Sequence, residues 1–189
     1  MLTTDFETEE EGMTVPYPPL FDEIRRNHGF VDVRRRPDLA DEIPEGSQSP
    51  ALKGLLIELS ERYSPLFTLG CDLGTHEEPW SEESARHVAG GYVQLMCASY
   101  SNRSPDDYTT FGYAIAQMLE DKAQDHNWRV RFVLKLVVLS LDDVSGLVPS
   151  LWIWFFATAR APEAALASRE VLISRLHHAL TDERLTSFF

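Results

Sequence analysis

Residues 128–141, WRVRFVLKLVVLSL, decide the fold class, because their apolar side chains fit two periodicities. Every second residue is apolar from Val130 to Val138, as in a strand, but apolar residues also recur at the spacing of a helix. We favour a strand, because valine prefers a pleated surface and because Asp125-His126-Asn127 interrupts the preceding helix. A helix over these residues would instead predict an all-α bundle.

A second strand is predicted over residues 151–158, after turn-forming residues at 142–146, so that the two segments make a β-hairpin. An ordinary strand buries one face, whereas this one carries large apolar groups on both. Burial between two layers is one interpretation. The other is that the row Trp152, Trp154 and Phe156 anchors a partner or closes a homodimer, since aromatic residues are enriched in interface cores.

Helices are predicted on either side of this hairpin and further upstream. Ser49-Pro50 begins a helix over residues 51–63, and Ser104-Pro105 begins another that extends to about Gln124. Each pair supplies a capping hydroxyl and a proline where no amide hydrogen is needed. Pro162-Glu163 opens the last helix.

Two more strands are predicted between the first two helices, over residues 67–73 and 92–100, with an acidic loop joining them. The resulting order is α-β-β-α-β-β-α. It predicts an α+β fold with a mainly antiparallel sheet of about four strands and the helices packed on one face.

The chain of 189 residues is expected to form one α+β domain over residues 15–189, since its middle contains no linker and its 43% hydrophobic content supports a core. Residues 1–14 are predicted to be an acidic flexible tail. They carry a run of like charge, no lysine or arginine, and few apolar residues.

The formal net charge of −13 disfavours direct binding to nucleic acid or to an anionic membrane and favours a basic protein partner. The N-terminal residues lack the basic and apolar segments of a secretory signal. The apolar run at 147–159 is shorter than the ~20 residues that cross a bilayer. A cytoplasmic location is therefore expected.

Neither a cofactor nor a catalytic motif is expected. Cys71 and Cys97 are the only cysteines, and their spacing indicates reduced thiols rather than a disulfide or a zinc site. A cysteine–histidine pair of Cys71 with His76 or His87 is the nucleophilic alternative. The candidate metal ligands, whose spacing matches no known motif, are Asp72, His76, Glu77, Glu78 and His87. The chain has no phosphate-binding glycine loop and no GxSxG elbow.

These features favour a non-catalytic protein-binding domain, in which acidic side chains steer a basic partner and aromatic side chains anchor it. The residues assigned to partner binding are Glu77, Glu78, Glu82, Glu83, Trp80, Trp152 and Trp154. In composition the chain resembles immunity proteins of toxins and acidic inhibitors of nucleases, which implies an inhibitor of a nucleic-acid-acting partner. Its element order resembles that of secretion-type chaperones, which implies a homodimeric adaptor. An enzyme or metal-binding protein that uses the Asp72–Glu83 loop is the third hypothesis.

Overall fold

The computed structural model describes residues 2–21, 26–61, 63–81, 84–99, 103–120, 126–141 and 144–186. Its strands are β1 (Leu2–Val15), β2 (Leu20–Phe21), β3 (Arg26–Asn27), β4 (Leu66–Ser81), β5 (Ser84–Cys97), β6 (Trp128–Leu141) and β7 (Val144–Ala159). Its helices are a 3₁₀ helix (Pro37–Glu42), α1 (Pro44–Gln48), α2 (Pro50–Leu59), α3 (Pro105–Glu120), α4 (Pro162–Leu180) and α5 (Glu183–Thr186).

Among the described residues, five strands form one mixed sheet in the order β1-β6-β7-β5-β4. Strand β1 is parallel to β6, whereas the other neighbouring strands are antiparallel. The hairpins β4–β5 and β6–β7 join side by side through β5 and β7. Strands β2 and β3 pair separately as a short ribbon.

The α+β class is confirmed, because residues 128–141 form strand β6, and the all-α alternative is wrong. The predicted sheet of about four antiparallel strands is incomplete, because β1 adds a parallel strand beside β6 and precedes the helices in the element order. Strand β1 forms by pairing with a segment more than a hundred residues away along the chain. Local periodicity carries no signal of such a pairing.

The prediction of a flexible tail over residues 1–14 is therefore wrong. Phe6 of β1 stacks on Phe132 and on Tyr113, with ring centroids 4.9 Å and 3.9 Å apart. On the other side of the strand, the carboxylates of Asp5 and Glu7 bind arginines of β6. A run of like charge is solvated only where no opposite charge faces it, and here the facing strand supplies that charge.

Helices α2, α3 and α4 cover one face of the sheet. Leu55, Phe111 and Leu172 of these helices belong to the same buried cluster as Phe132 and Phe155 of the sheet. Burial of this apolar surface is the main stabilising contribution that the two layers make to each other. None of the helices in the described part of the chain is long and apolar enough to cross a lipid bilayer.

The predicted helix starts are confirmed by their caps. The Ser49 hydroxyl accepts a hydrogen bond from the Leu52 amide at 3.0 Å, and the Asp107 carboxylate accepts one from the Ser104 amide at 2.8 Å. Helix α2 ends at Leu59, earlier than predicted, and the side chain of Tyr63 is 86% exposed.

The opposite face of the sheet is covered at one end by residues 16–21 and 26–31. Tyr17 and Phe30 from this covering segment pack on a second apolar cluster that includes Leu69, Met96 and Leu139. The Phe30 amide donates a hydrogen bond to the Tyr17 carbonyl at 3.0 Å, which holds the two ends of the segment together. The covering segment extends over only part of this face, so the rest of the face has no second layer of described residues on it.

The predicted acidic loop between residues 73 and 92 is mostly strand. Strand β4 continues to Ser81, and β5 begins at Ser84, so that the loop is the far half of one long hairpin. The pairing of β5 with β7 begins at His87, which leaves residues 78–81 and 84–86 as a two-stranded arm beyond β7. Charged residues suit this strand because β4 lies at the sheet edge, where charge discourages pairing with another chain.

Candidate functional site

The half of the sheet that faces away from α2, α3 and α4 and lies beyond the covering segment carries an aromatic surface, which we call the open face. Its centre is β7, where Ile153 and Phe155 are fully buried on the helix side. Trp152, Trp154 and Phe156 alternate with them and are half-buried on the open face. The apolar residues of β7 are therefore divided, with one row in the core and the other row on this surface.

The aromatic side chains of the open face form a continuous stack. Tyr92 of β5 lies 4.5 Å from Trp152 and 4.8 Å from Trp154, measured between ring centroids. Trp154 lies 6.4 Å from Phe156, with ring planes only 8° apart. Offset stacking at these distances is favourable, so the rings hold one another in place before any partner arrives.

Gly90 of β5 makes room for the last ring of this stack. A Cβ atom at Gly90 would lie 2.6 Å from Cδ1 of Phe156 and equally close to the Phe155 carbonyl oxygen. No side chain fits at that separation, so the glycine is needed for Phe156 to lie flat over the neighbouring strand.

Basic side chains of β6 flank the aromatic stack. Arg129 and Arg131 lie opposite Phe156 and Trp154 in the strand register, and the Lys135 ammonium lies 4.8 Å from the centroid of Trp152. Arg129 binds Asp5 of β1 at 2.9 Å, and Arg131 binds Glu7. Since both acids lie on the neighbouring strand, these ion pairs offset much of the positive charge within the fold.

A cleft of about 590 Å³ lies where the covering segment meets the open face. Its walls are aromatic and its rim carries two carboxylates, Glu45 of α1 and Asp72 of β4. The lining residues that matter for its chemistry are Tyr17, His28, Phe30, Glu45, Asp72, Tyr92 and Trp154. Among the described residues that line it, none is a lysine or an arginine.

Burial makes the cleft unfavourable for negative charge. Burial raises the pKa of the Glu45 carboxyl above its ordinary value. A hydrogen bond from the Glu45 backbone opposes the shift, the charge of Asp72 adds to it, and His28 opposes it to a smaller extent. Burial also raises the pKa of Tyr17 to about 12 and raises the pKa values of Tyr92 and of the Cys71 thiol. The phenols and the thiol therefore stay neutral at pH 7, and the carboxylates dominate the field.

An unsatisfied acceptor lies buried behind Gly70, one of the residues that line the cleft. The Ser150 hydroxyl donates its hydrogen to the Lys135 carbonyl at 3.1 Å, so it must accept the 3.0 Å hydrogen bond from the Gln94 amide nitrogen. Because the Gln94 nitrogen faces Ser150, the other atom of this fully buried amide group is the oxygen Oε1. Within the described residues, that Oε1 atom has no hydrogen-bond partner.

A second cavity, of about 350 Å³, lies at the far end of the aromatic stack. It is lined by Phe156 together with the cationic side chains Arg86 and Arg129 and the imidazole of His76. The open face thus has an acidic cleft at one end and a basic cavity at the other, which the uniformly acidic composition of the chain does not indicate.

The residues predicted to bind a partner are divided by the structure. Trp152 and Trp154 lie together on the open face. The backbone of Glu77, Glu78 and Trp80 belongs to the far half of β4, away from the aromatic stack. Glu82 and Glu83 lie outside the described residues, so their assignment stays a prediction.

The cysteine–histidine alternative is not supported by the strand register. Cys71 and His76 are separated by five residues of β4, which places them on opposite faces and roughly 16 Å apart. His87 lies opposite Glu77, on the same face as Cys71 but six residues further along the hairpin, so the two are roughly 20 Å apart. Within the described part of the chain, no group of three or more histidine, cysteine, aspartate or glutamate side chains could hold a metal ion.

Sequence reasoning missed Tyr17, Glu45, Tyr92 and Gln94. Only the alternation of Tyr92 and Gln94 in β5 carried a usable signal, since both positions have the same parity and therefore share a face. Tyr17 and Glu45 come from irregular or short segments that reach the sheet through tertiary contacts. No local pattern places such residues.

Comparisons of the chain with protein-family models, with curated proteins and with solved structures found no significant match.

Proposed function

We propose that this chain is a non-catalytic protein-binding domain that holds a basic protein partner on its open face. The observation that carries the proposal is the continuous stack of half-buried rings from Tyr92 to Phe156 on the sheet face opposite α2, α3 and α4. Large aromatic side chains supply most of the binding energy at protein interfaces when a partner excludes water from them.

The rigidity of the stack favours tight binding. Each ring contacts its neighbour within the fold, and Lys135 lies over the Trp152 ring. Since these side chains are already ordered, they lose little conformational entropy when a partner docks on them. The polar groups at both ends of the stack would form the rim of such an interface.

The charge of the molecule favours a basic partner. The net charge is −13, and both edge strands of the sheet, β1 and β4, carry acidic residues. Long-range attraction to these edges would steer a cationic protein toward the sheet. An inhibitor that neutralises a nucleic-acid-acting enzyme is one form of this function, because such enzymes have cationic binding surfaces.

The chemistry of the cleft agrees with binding rather than with covalent catalysis. A cysteine nucleophile must be a thiolate, and burial raises the pKa of the Cys71 thiol, so it stays protonated at neutral pH. The same effect keeps Tyr17 and Tyr92 neutral. These groups can donate hydrogen bonds but supply no ready base.

The proposal is tested by affinity capture from a native lysate with wild type, Phe156→Ala and Tyr63→Ala as bait, at low and high salt. Tyr63 is the matched control, since its ring is 86% exposed and it lies outside the open face. We expect a basic protein that wild type and Tyr63→Ala retain and that salt weakens. An aromatic hot spot contributes about 2 kcal/mol or more, so Phe156→Ala should weaken the affinity for this partner about thirty-fold.

Thermal unfolding of each variant must first show that it folds like the wild type. The proposal is wrong if folded Phe156→Ala retains the same proteins as wild type. Capture of acidic proteins alone, with no dependence on salt, would contradict the expected charge of the partner.

A further inference from the structure

We propose that the cleft between the covering segment and the open face binds the guanidinium group of an arginine side chain that the partner protein supplies. This inference rests on the proposed function, and it names the chemistry by which the partner is recognised. The cleft borders the aromatic stack directly, since Tyr92 and Trp154 belong to both.

The first observation is a pair of acidic side chains with no permanently charged cation beside them among the described lining residues. Glu45 and Asp72 line the cleft, and the described lining residues include no lysine or arginine. A carboxylate that is partly buried beside another is destabilised unless a cation joins it. A cation in the cleft would therefore relieve the repulsion between the two carboxylates and offset the cost of burying Glu45.

The second observation is the buried Gln94 side chain, which is independent of the carboxylates. Its Oε1 atom lacks a partner among the described residues, and a Cβ atom at Gly70 in the cleft floor would lie 3.9 Å from it. The same position would lie 2.8 Å from the Tyr17 hydroxyl oxygen. A buried amide oxygen without a donor is costly, and a guanidinium that displaced the Tyr17 hydroxyl from above Gly70 would bring a donor to it.

The shape of the cleft favours guanidinium over a compact ammonium ion. Guanidinium is planar, stacks on aromatic rings and presents five N–H donors in several directions. The cleft supplies rings at Phe30, Tyr92 and Trp154 and carboxylate acceptors at Glu45 and Asp72, with the Gln94 amide oxygen behind Gly70. Its volume of about 590 Å³ is also large enough for the aliphatic part of the side chain and adjoining backbone.

Binding should weaken as the solution becomes acidic. The groups that face Glu45 are Asp72, His28, Tyr17, Cys71 and Tyr92. Of these, the phenols and the thiol stay neutral, so the carboxylates carry the attraction. Since the pKa of Glu45 is raised, this carboxylate becomes protonated at a higher pH than an ordinary glutamate does, and the cleft loses affinity from that pH downward.

The test uses the full-length protein labelled with ¹⁵N and titrated with Nα-acetyl-arginine amide, followed by amide and indole shifts. Nα-acetyl-citrulline amide has nearly the same shape without the charge, and the corresponding lysine amide has the charge without the planar fork. Agmatine tests whether a free guanidine is the better ligand. We expect the arginine probe to shift the signals of Gly70 and the Trp154 indole and the citrulline probe to leave them unchanged.

The matched variants are Glu45→Gln and Glu42→Gln, which remove the same charge three residues apart. Glu42 does not line the cleft, so its loss changes only the distant field. Loss of a charge-assisted hydrogen bond should weaken arginine-amide binding about tenfold in Glu45→Gln and less than about twofold in Glu42→Gln. Glu45→Gln should remain folded, because it removes a charge that burial disfavours.

Equal binding of the citrulline probe, or equal affinity of Glu45→Gln and wild type, would overturn the inference. Tighter binding of agmatine than of arginine amide would overturn the assignment to a protein partner. If a Phe156-dependent partner exists but the arginine probe leaves the cleft unchanged, only this inference fails. If the probe binds through Glu45 but no Phe156-dependent partner exists, the proposed function fails and the guanidinium site remains.

Discussion

At the scale of single residues, Gly90 and Gly74 separate packing from backbone effects. They lie opposite each other in the β4–β5 register, so both belong to the same face of the same hairpin. A Cβ atom at Gly90 would collide with Phe156 and with backbone, whereas a Cβ atom at Gly74 meets nothing within 4 Å. We expect Gly90→Ala to lower the free energy of unfolding by about 1–3 kcal/mol, measured by urea denaturation.

Gly74→Ala is the control for this prediction. It should leave the free energy of unfolding unchanged or raise it by up to about 1 kcal/mol, because alanine restricts the unfolded chain more than glycine does. Equal effects of the two substitutions would show that Phe156 does not occupy the space above Gly90. Gly90→Ala should also lower partner affinity, since the ring must move out of the stack.

At the scale of elements, a carboxylate of α4 holds the start of α2. Oε2 of Glu170 accepts hydrogen bonds from the Ser49 hydroxyl at 2.8 Å and from the Ala51 amide at 3.3 Å. Its other oxygen accepts one from Arg169, which is only 4% exposed. A negative group at this position also complements the helix dipole of α2.

Glu170→Gln should therefore destabilise the protein by about 1–2 kcal/mol, since it removes the charge that compensates a buried arginine and caps a helix. Glu163→Gln is the same change on an exposed residue of the same helix, and its effect should stay below about 0.5 kcal/mol. Chemical denaturation of both variants measures the difference. A Glu170 variant as stable as the Glu163 variant would show that the contact between α4 and α2 contributes nothing through this carboxylate.

At the scale of the whole molecule, the sheet ends on both sides in acidic strands. Open edges carry unpaired backbone groups, and charge is one means of preventing two copies from joining there. Strand β1 is 14 residues long and includes Glu9, Glu10 and Glu11. We expect the triple change of these residues to glutamine to raise the self-association constant of the protein, measured by sedimentation velocity at pH 7.

The control for the edge prediction removes the same charge from surfaces outside the sheet, at Glu61, Glu120 and Glu163. If this control associates as strongly as the β1 variant, net charge rather than edge protection limits association. Asp5 and Glu7 are left unchanged in the design because they bind Arg129 and Arg131 within the fold.

The predictability of each part of the molecule follows from the range of the interactions that form it. The caps at Ser49 and Ser104 involve neighbours within three residues, so the helix starts were predictable. The identity of β6 followed from its valines. Strand β1 was missed because its acidic residues are matched by arginines of β6, whose alternation at 129 and 131 was the available signal.

The candidate site was predictable in part, for the same reason. Trp152 and Trp154 stood out because an aromatic row at alternate positions of a strand marks one of its faces. Glu45 reaches the cleft from the short helix α1 and Tyr17 from an irregular segment, and neither carries a local signal. The Gln94 amide oxygen is unsatisfied only because the fold buries it without a donor. Assigning the acidic residues of the β4–β5 hairpin to a loop was wrong, since a strand at a sheet edge tolerates charge.

The sequence by itself determined the α+β class, the helix starts, the charge and the aromatic row, because each depends on residue type and on spacing along a few turns or strand positions. Only the tertiary structure decided which face of β7 stays open, that β1 completes the sheet, and that Glu45 and Asp72 line one cleft with the Gln94 amide buried behind it. Those features depend on contacts between segments far apart in the chain, and their formation depends on burial and charge pairing that no local pattern records.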